Sequence, residues 1–63
     1  MRFLRIKAVQ DRTGLSKATI YRLTREGSFP RPARLGPKVS AWVESEIDAW
    51  AAARVRARDG GAA

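Results

Sequence analysis

The sequence predicts a mainly α-helical domain of three helices carrying one small β-hairpin as a wing. Three observations predict it. Residues 13–27 (Thr-Gly-Leu-Ser-Lys-Ala-Thr-Ile-Tyr-Arg-Leu-Thr-Arg-Glu-Gly) hold a turn glycine, a serine cap and a helix with two unlike faces. Residues 28–42 contain Pro30, Pro32 and Pro37, which stop a helix and favour an extended path. After Glu44 a helical repeat returns, with Ile47, Trp50 and Ala51 at i, i+3 and i+4.

The elements follow in chain order. Residues 2–6 (Arg-Phe-Leu-Arg-Ile) read as an extended entry segment. A short first helix spans about residues 7–12, with Ile6, Ala8 and Val9 on its apolar side. Thr13-Gly14 ends it, because glycine enters the left-handed region without a Cβ penalty. Leu15 plugs the corner. Ser16 is the N-cap of a second helix over residues 17–26, and Gly27 follows it as the C′ residue. Two helices joined by so short a turn make a helix-turn-helix. On the second helix Ile20, Leu23 and Thr24 share one side. Lys17, Tyr21 and Arg25 share the other, flanked by Ala18 and Arg22. Residues 33–35 and 39–42 form two short strands around a Gly36-Pro37-Lys38 turn, so the wing spans 33–42 with Lys38 near its tip. An isolated two-stranded hairpin is unstable, so this one packs on the helices, through Phe29, Leu35 and Trp42. The third helix starts near Glu44, with Glu44, Glu46 and Asp48 toward its positive end and Arg54, Arg56 and Arg58 toward its negative end. Residues 59–63 (Asp-Gly-Gly-Ala-Ala) read as a flexible tail, which sets the domain at 1–58.

With 63 residues the chain is one domain. So small a chain buries only about 60% of its unfolded surface. It has no cysteine and no histidine, so disulfides, thiolate or imidazole metal sites and the commonest general base are absent. No acidic cluster has ligand spacing, no glycine-rich phosphate loop is present, and no catalytic residue, cofactor or metal is expected. No apolar run approaches the ~20 residues of a membrane span and no secretory signal is visible. The expected location is cytoplasmic, away from any membrane. The net charge of +7 is uneven. Residues 1–38 hold ten bases and two acids, hence +8, and residues 39–63 hold three bases and four acids, hence −1. A basic half that contains the two-faced helix is the footprint of a polyanion binder.

Five segments then stand in order: Leu-Arg-Ile-Lys-Ala-Val, Thr-Gly-Leu-Ser-Lys-Ala-Thr-Ile-Tyr-Arg-Leu, Glu-Gly-Ser-Phe-Pro-Arg-Pro, Arg-Leu-Gly and Trp-Val-Glu-Ser-Glu-Ile-Asp-Ala-Trp. Together they closely resemble the AlpA-like family of phage and prophage regulators, small winged-helix relatives of the MerR-type and excisionase DNA-binding domains. The likeness covers roughly residues 3–52. It implies a winged helix-turn-helix that regulates transcription, often of integration or excision genes. Gln10 and Arg12 depart from the usual pattern, where Ala or Leu is more common.

On this reading the second helix enters the major groove of double-stranded DNA. Arg22 and Arg25 reach guanine O6 and N7. Ser16 and Lys17 sit at a helix N-terminus that already attracts phosphate. Thr19 meets a phosphate or a thymine methyl, Ala18 meets a thymine methyl or simply allows close approach, and Tyr21 hydrogen-bonds a phosphate and packs on sugar or sits half-buried in the core. Arg34 and Lys38 on the wing grip the flanking backbone or minor groove. Arg31 is a weaker candidate, and Arg2, Arg5, Lys7 and Arg12 add general positive field. Trp42 and Trp50 belong to the core, not to base stacking.

The leading expectation is a sequence-specific transcriptional regulator that binds DNA as two or more copies. An excisionase-like architectural factor working with an integrase is the alternative, and RNA polymerase is a further partner to consider. A third reading is a protein-binding adaptor that uses Glu44, Glu46 and Asp48. RNA binding lacks the usual platform of exposed aromatics.

Overall fold

The computed structural model describes residues 1–61. The order is β1 (Phe3–Leu4), α1 (Ile6–Thr13), α2 (Lys17–Arg25), β2 (Ala33–Gly36), β3 (Val39–Val43) and α3 (Glu44–Gly61). The mainly helical class with a hairpin wing is as expected.

The entry segment does more than lead in. Phe3 pairs with Val43 and Leu4 with Trp42, antiparallel, so β1 adds a third strand and the sheet order is β1-β3-β2. The Glu44 amide donates to the Arg2 carbonyl at 2.8 Å and extends this ladder to the start of α3. With β1 on one side and β2 on the other, the wing's inner strand is paired along both edges. A lone hairpin would not hold itself.

The helix-turn-helix is set by local chemistry. Gly14 has φ 73°, the left-handed value that ends α1, and its amide donates to the Gln10 carbonyl at 2.8 Å. The Thr13 hydroxyl donates to the Val9 carbonyl at 2.8 Å and accepts from the Leu15 amide at 3.3 Å. That fixes the turn and leaves Leu15 packed against the core. At the end of α2 the Ser28 amide reaches the Leu23 carbonyl and the Gly27 amide reaches Thr24, with Gly27 at φ 79°. This is a Schellman closure, and it needs a residue free to take positive φ.

The core is one cluster of Leu4, Val9, Ile20, Phe29, Trp42 and Ile47. Val9, Ile20 and Trp42 are completely buried, so α1, α2 and the wing meet through them. Ile6, Ala8, Leu15, Leu23 and Trp50 pack around it. Phe29 and Trp42 join helices and wing as expected. Leu35 does not: it is 49% exposed. The β2–β3 register shifts between Arg34 and Gly36, and this irregularity takes Leu35 out of the alternation that would have pointed it inward.

Two indole N–H groups tie down the segment that leaves α2. Trp42 Nε1 donates to the Pro30 carbonyl at 2.9 Å, and Trp50 Nε1 donates to the Ser28 carbonyl at 2.7 Å. Phe29 sits between them, edge-on to Trp50 with ring centroids 4.7 Å apart. At the start of α3, Arg12 donates to Glu44 at 2.5 Å and to Asp48 at 3.1 Å, bracing the end of α1 against α3. Glu44, by hydrogen bond and then by charge, raises the Arg12 pKa above its already high value. A raised pKa contributes stability below the unfolded value and loses it above the folded one, so the guanidinium side of this brace stays charged at every pH below the arginine range.

α3 runs 18 residues to Gly61, past Asp59, where the sequence placed the start of a tail. Residues 62 and 63 of that expected tail lie outside the described residues. At 1.5 Å per residue α3 is about 27 Å long. It accounts for the elongated 46 × 24 × 19 Å shape.

Candidate nucleic-acid interface

The two faces of α2 separate cleanly. Ile20 is buried and Leu23 half-buried against the core, while Lys17, Ala18, Tyr21, Arg22 and Arg25 are all exposed. Of the expected contact residues only Thr19 is half-buried; Ser16, Arg34 and Lys38 are exposed. The inward side is further occupied by the Thr24 hydroxyl, which donates to the Ile20 carbonyl at 2.8 Å. A helix anchored this way presents its outer residues in fixed order.

At the N-terminus of α2 the Ser16 side chain accepts from the Thr19 amide at 3.2 Å, and its own proton goes to the Thr19 hydroxyl at 2.9 Å. A phosphate needs donors, and the donor capacity of Ser16 is already used. Thr19, which accepts from Ser16, keeps its own proton. In this geometry Ser16 is the cap of α2, and the Thr19 hydroxyl is left with a proton to donate.

The cations differ in freedom. Arg22 lies 3.6 Å from Glu26, an i,i+4 pair on an exposed face. Among the described residues Lys17, Arg25 and Lys38 make no ion pair. Arg34 Nη2 donates to the Pro37 carbonyl at 3.0 Å, so part of its guanidinium braces the wing turn and the rest stays outward. Tyr21 is packed on one side and open on the other. Its ring leans on Trp42 with centroids 6.1 Å apart, yet the residue is 39% exposed. That contact sets the outer face of α2 beside the wing.

Sequence reasoning misplaced one cation and overlooked one contact. Arg12 was counted in the general positive field, but Glu44 and Asp48 hold it. Partners 32 and 36 residues away leave no local signal. The same contact occupies two of the three carboxylates on which a protein-adaptor reading rests. No helix among the described residues is long and apolar enough to cross a membrane.

The sequence that builds the two-faced α2 and the wing matches a described family. The profile of the prophage CP4-57 regulatory protein, AlpA, fits residues 2–55. The chain belongs to the AlpA family. Among curated relatives it is 48% identical over 60 residues to the uncharacterized protein ORF88 of Enterobacteria phage P4, covering 95% of this chain and 68% of that one. It is also 37% identical over 62 residues to the DNA-binding transcriptional activator AlpA of Escherichia coli K12, covering 89% of each. This AlpA-family chain matches both relatives through the helix-turn-helix and the wing together, not through a single motif.

Proposed function

We propose that this AlpA-family chain is a sequence-specific regulator that binds double-stranded DNA, with α2 in the major groove and the wing on the flanking backbone or minor groove. The observation that carries the reading is the outer face of α2: Lys17, Ala18, Tyr21, Arg22 and Arg25 exposed together on a helix backed by buried Ile20. The E. coli relative named as a DNA-binding transcriptional activator supports it. Arg25 and Arg22 are the base readers. Thr19 and Lys17 hold phosphate at the helix N-terminus, Tyr21 contacts backbone, and Lys38 and Arg34 grip the flank. A single module of this kind buries only about 600–1,000 Å² of protein surface on DNA. Tight operator binding therefore takes two or more copies on paired sites.

The test is selection of binding sites from random duplex DNA, repeated with Arg22→Ala and Arg25→Ala. Each bidentate arginine–guanine contact discriminates by about 1–3 kcal/mol, so each variant relaxes the motif at particular positions. Binding with no enriched motif would sink the sequence-specific part of the reading, and absence of binding would sink all of it.

A further inference from the structure

The outer half of α3 adds nothing to the body of the domain. Ile47 is buried and Trp50 and Ala51 half-buried, but residues 52–60 are all exposed. An isolated helix of so few residues is marginal in water. The charges on α3 are ordered about its centre. Asp48 and Arg54 each lie three residues from Ala51, Glu46 and Arg56 five, Glu44 and Arg58 seven. The helix dipole favours acids in the first turn and bases in the last, but it fades within a turn. Asp48 and Arg54 lie beyond those turns.

Most of these groups have partners in their own chain. Glu44 and Asp48 hold Arg12, Arg58 pairs with Asp59 at 3.0 Å, and Arg54 stacks 5.1 Å from the centroid of the Trp50 ring. Glu46 and Arg56 make no ion pair among the described residues. They are ten residues apart, which is about 80° around a helix of 3.6 residues per turn. Counted from buried Ile47, Glu46 lies about 100° and Arg56 about 180° around the helix, so both are on the half of α3 turned away from it.

We propose that this face of α3 is a self-association surface, where two copies of the chain pair their third helices antiparallel about a two-fold axis at the height of Ala51 along the helix. The two-fold makes each contact twice, setting Glu46 of each copy opposite Arg56 of the other. A parallel pair would set like charges together. Ala49, Ala52 and Ala53, all exposed, lie between the two charges and let the helices approach. A contact between two such helices falls below the ~1,200 Å² of stable interfaces. It is weak in free solution and takes hold when neighbouring sites on one DNA keep two copies close. The surface uses neither α2 nor the wing, so its test is independent of the DNA-binding reading.

The experiment is sedimentation equilibrium of the full chain at low salt, up to millimolar concentration, with E46R, R56E, their equimolar mixture and the double variant. The wild type forms dimers. Each single variant raises the dimer dissociation constant on the order of tenfold, because two exposed pairs per dimer turn repulsive. The mixture and the double variant regain wild-type association, since every altered charge again meets its opposite. The mixture compares the same two proteins apart and together, so a folding defect cannot imitate its recovery. A wild type that stays monomeric, single variants that associate like wild type, or a mixture that does not recover would each overturn the proposal.

Discussion

Replacing Trp50 by phenylalanine and then by alanine separates hydrogen bonding from packing where α3 meets the segment that leaves α2. Phenylalanine keeps an aromatic ring beside Phe29 but removes the donor that lies 2.7 Å from the Ser28 carbonyl. A typical hydrogen bond contributes about 1 kcal/mol net. Alanine also removes the edge-on contact with Phe29 at 4.7 Å and the stacking of Arg54 at 5.1 Å. These add about 0.5–1.5 kcal/mol for the aromatic pair and about 0.5–1 kcal/mol for an exposed cation on a ring. The expected losses are thus ~1 kcal/mol for Trp50→Phe and ~3 kcal/mol for Trp50→Ala. At 0.05–0.15 kcal/mol per residue, a domain of this size has only about 3–9 kcal/mol in total. Trp50→Ala is therefore expected to be near the edge of folding. With ~4–8 °C lost per kcal/mol in so small a domain, the melting point falls by ~4–8 °C for phenylalanine and by more than 10 °C for alanine. Urea and thermal unfolding followed by far-ultraviolet circular dichroism measure both. Equal losses for the two variants, or a loss below 1 kcal/mol for alanine, would refute this account of the joint.

Three further expectations are independent of that joint. Ser16→Ala removes the cap on the Thr19 amide and lowers stability by about 1 kcal/mol in urea unfolding, whereas Ser16→Asn holds it near wild type. Leu35→Ser leaves stability within about 0.5 kcal/mol, because the side chain is half exposed at the irregular step in β2; a loss of 2 kcal/mol would mean that it packs inward after all. Glu26→Gln releases Arg22 from its 3.6 Å pair and raises affinity for the selected DNA up to about fivefold, read by fluorescence anisotropy; unchanged or weaker binding would argue against Arg22 as a groove contact.

Local signals made much of this domain legible. Ser16, Gly14 and Gly27 mark helix ends because each answers a local backbone need. The two faces of α2 follow from side-chain period alone. The prolines and the Gly36-Pro37-Lys38 turn bracket the hairpin for the same reason. What escaped the sequence depends on distant partners. The pairing of Phe3 and Leu4 with Val43 and Trp42 involves two residues and has no period to read. The grip of Glu44 and Asp48 on Arg12 crosses more than thirty residues, and no local rule announces it. Leu35 was misplaced because one shift in register reverses the alternation on which the expectation rested. At the candidate interface the exposed residues of α2 could be read directly. The division of labour between Ser16 and Thr19 required knowing where the serine proton goes.

The two indole hydrogen bonds have a consequence for the nucleic acid. The carbonyls of Ser28 and Pro30 are pinned two residues apart, one to α3 and one to β3, while Tyr21 rests against Trp42. The segment between α2 and the wing is thus held at two points, so on the proposed reading the two parts form a caliper of fixed gauge. On the proposed operator the distance from the major-groove contacts to the flanking grip is then a property of the protein. Any mismatch between that gauge and straight B-form DNA must be absorbed by the duplex, through local bending or a change in groove width. Base pairs that deform at low energetic cost are then favoured at positions that no side chain touches.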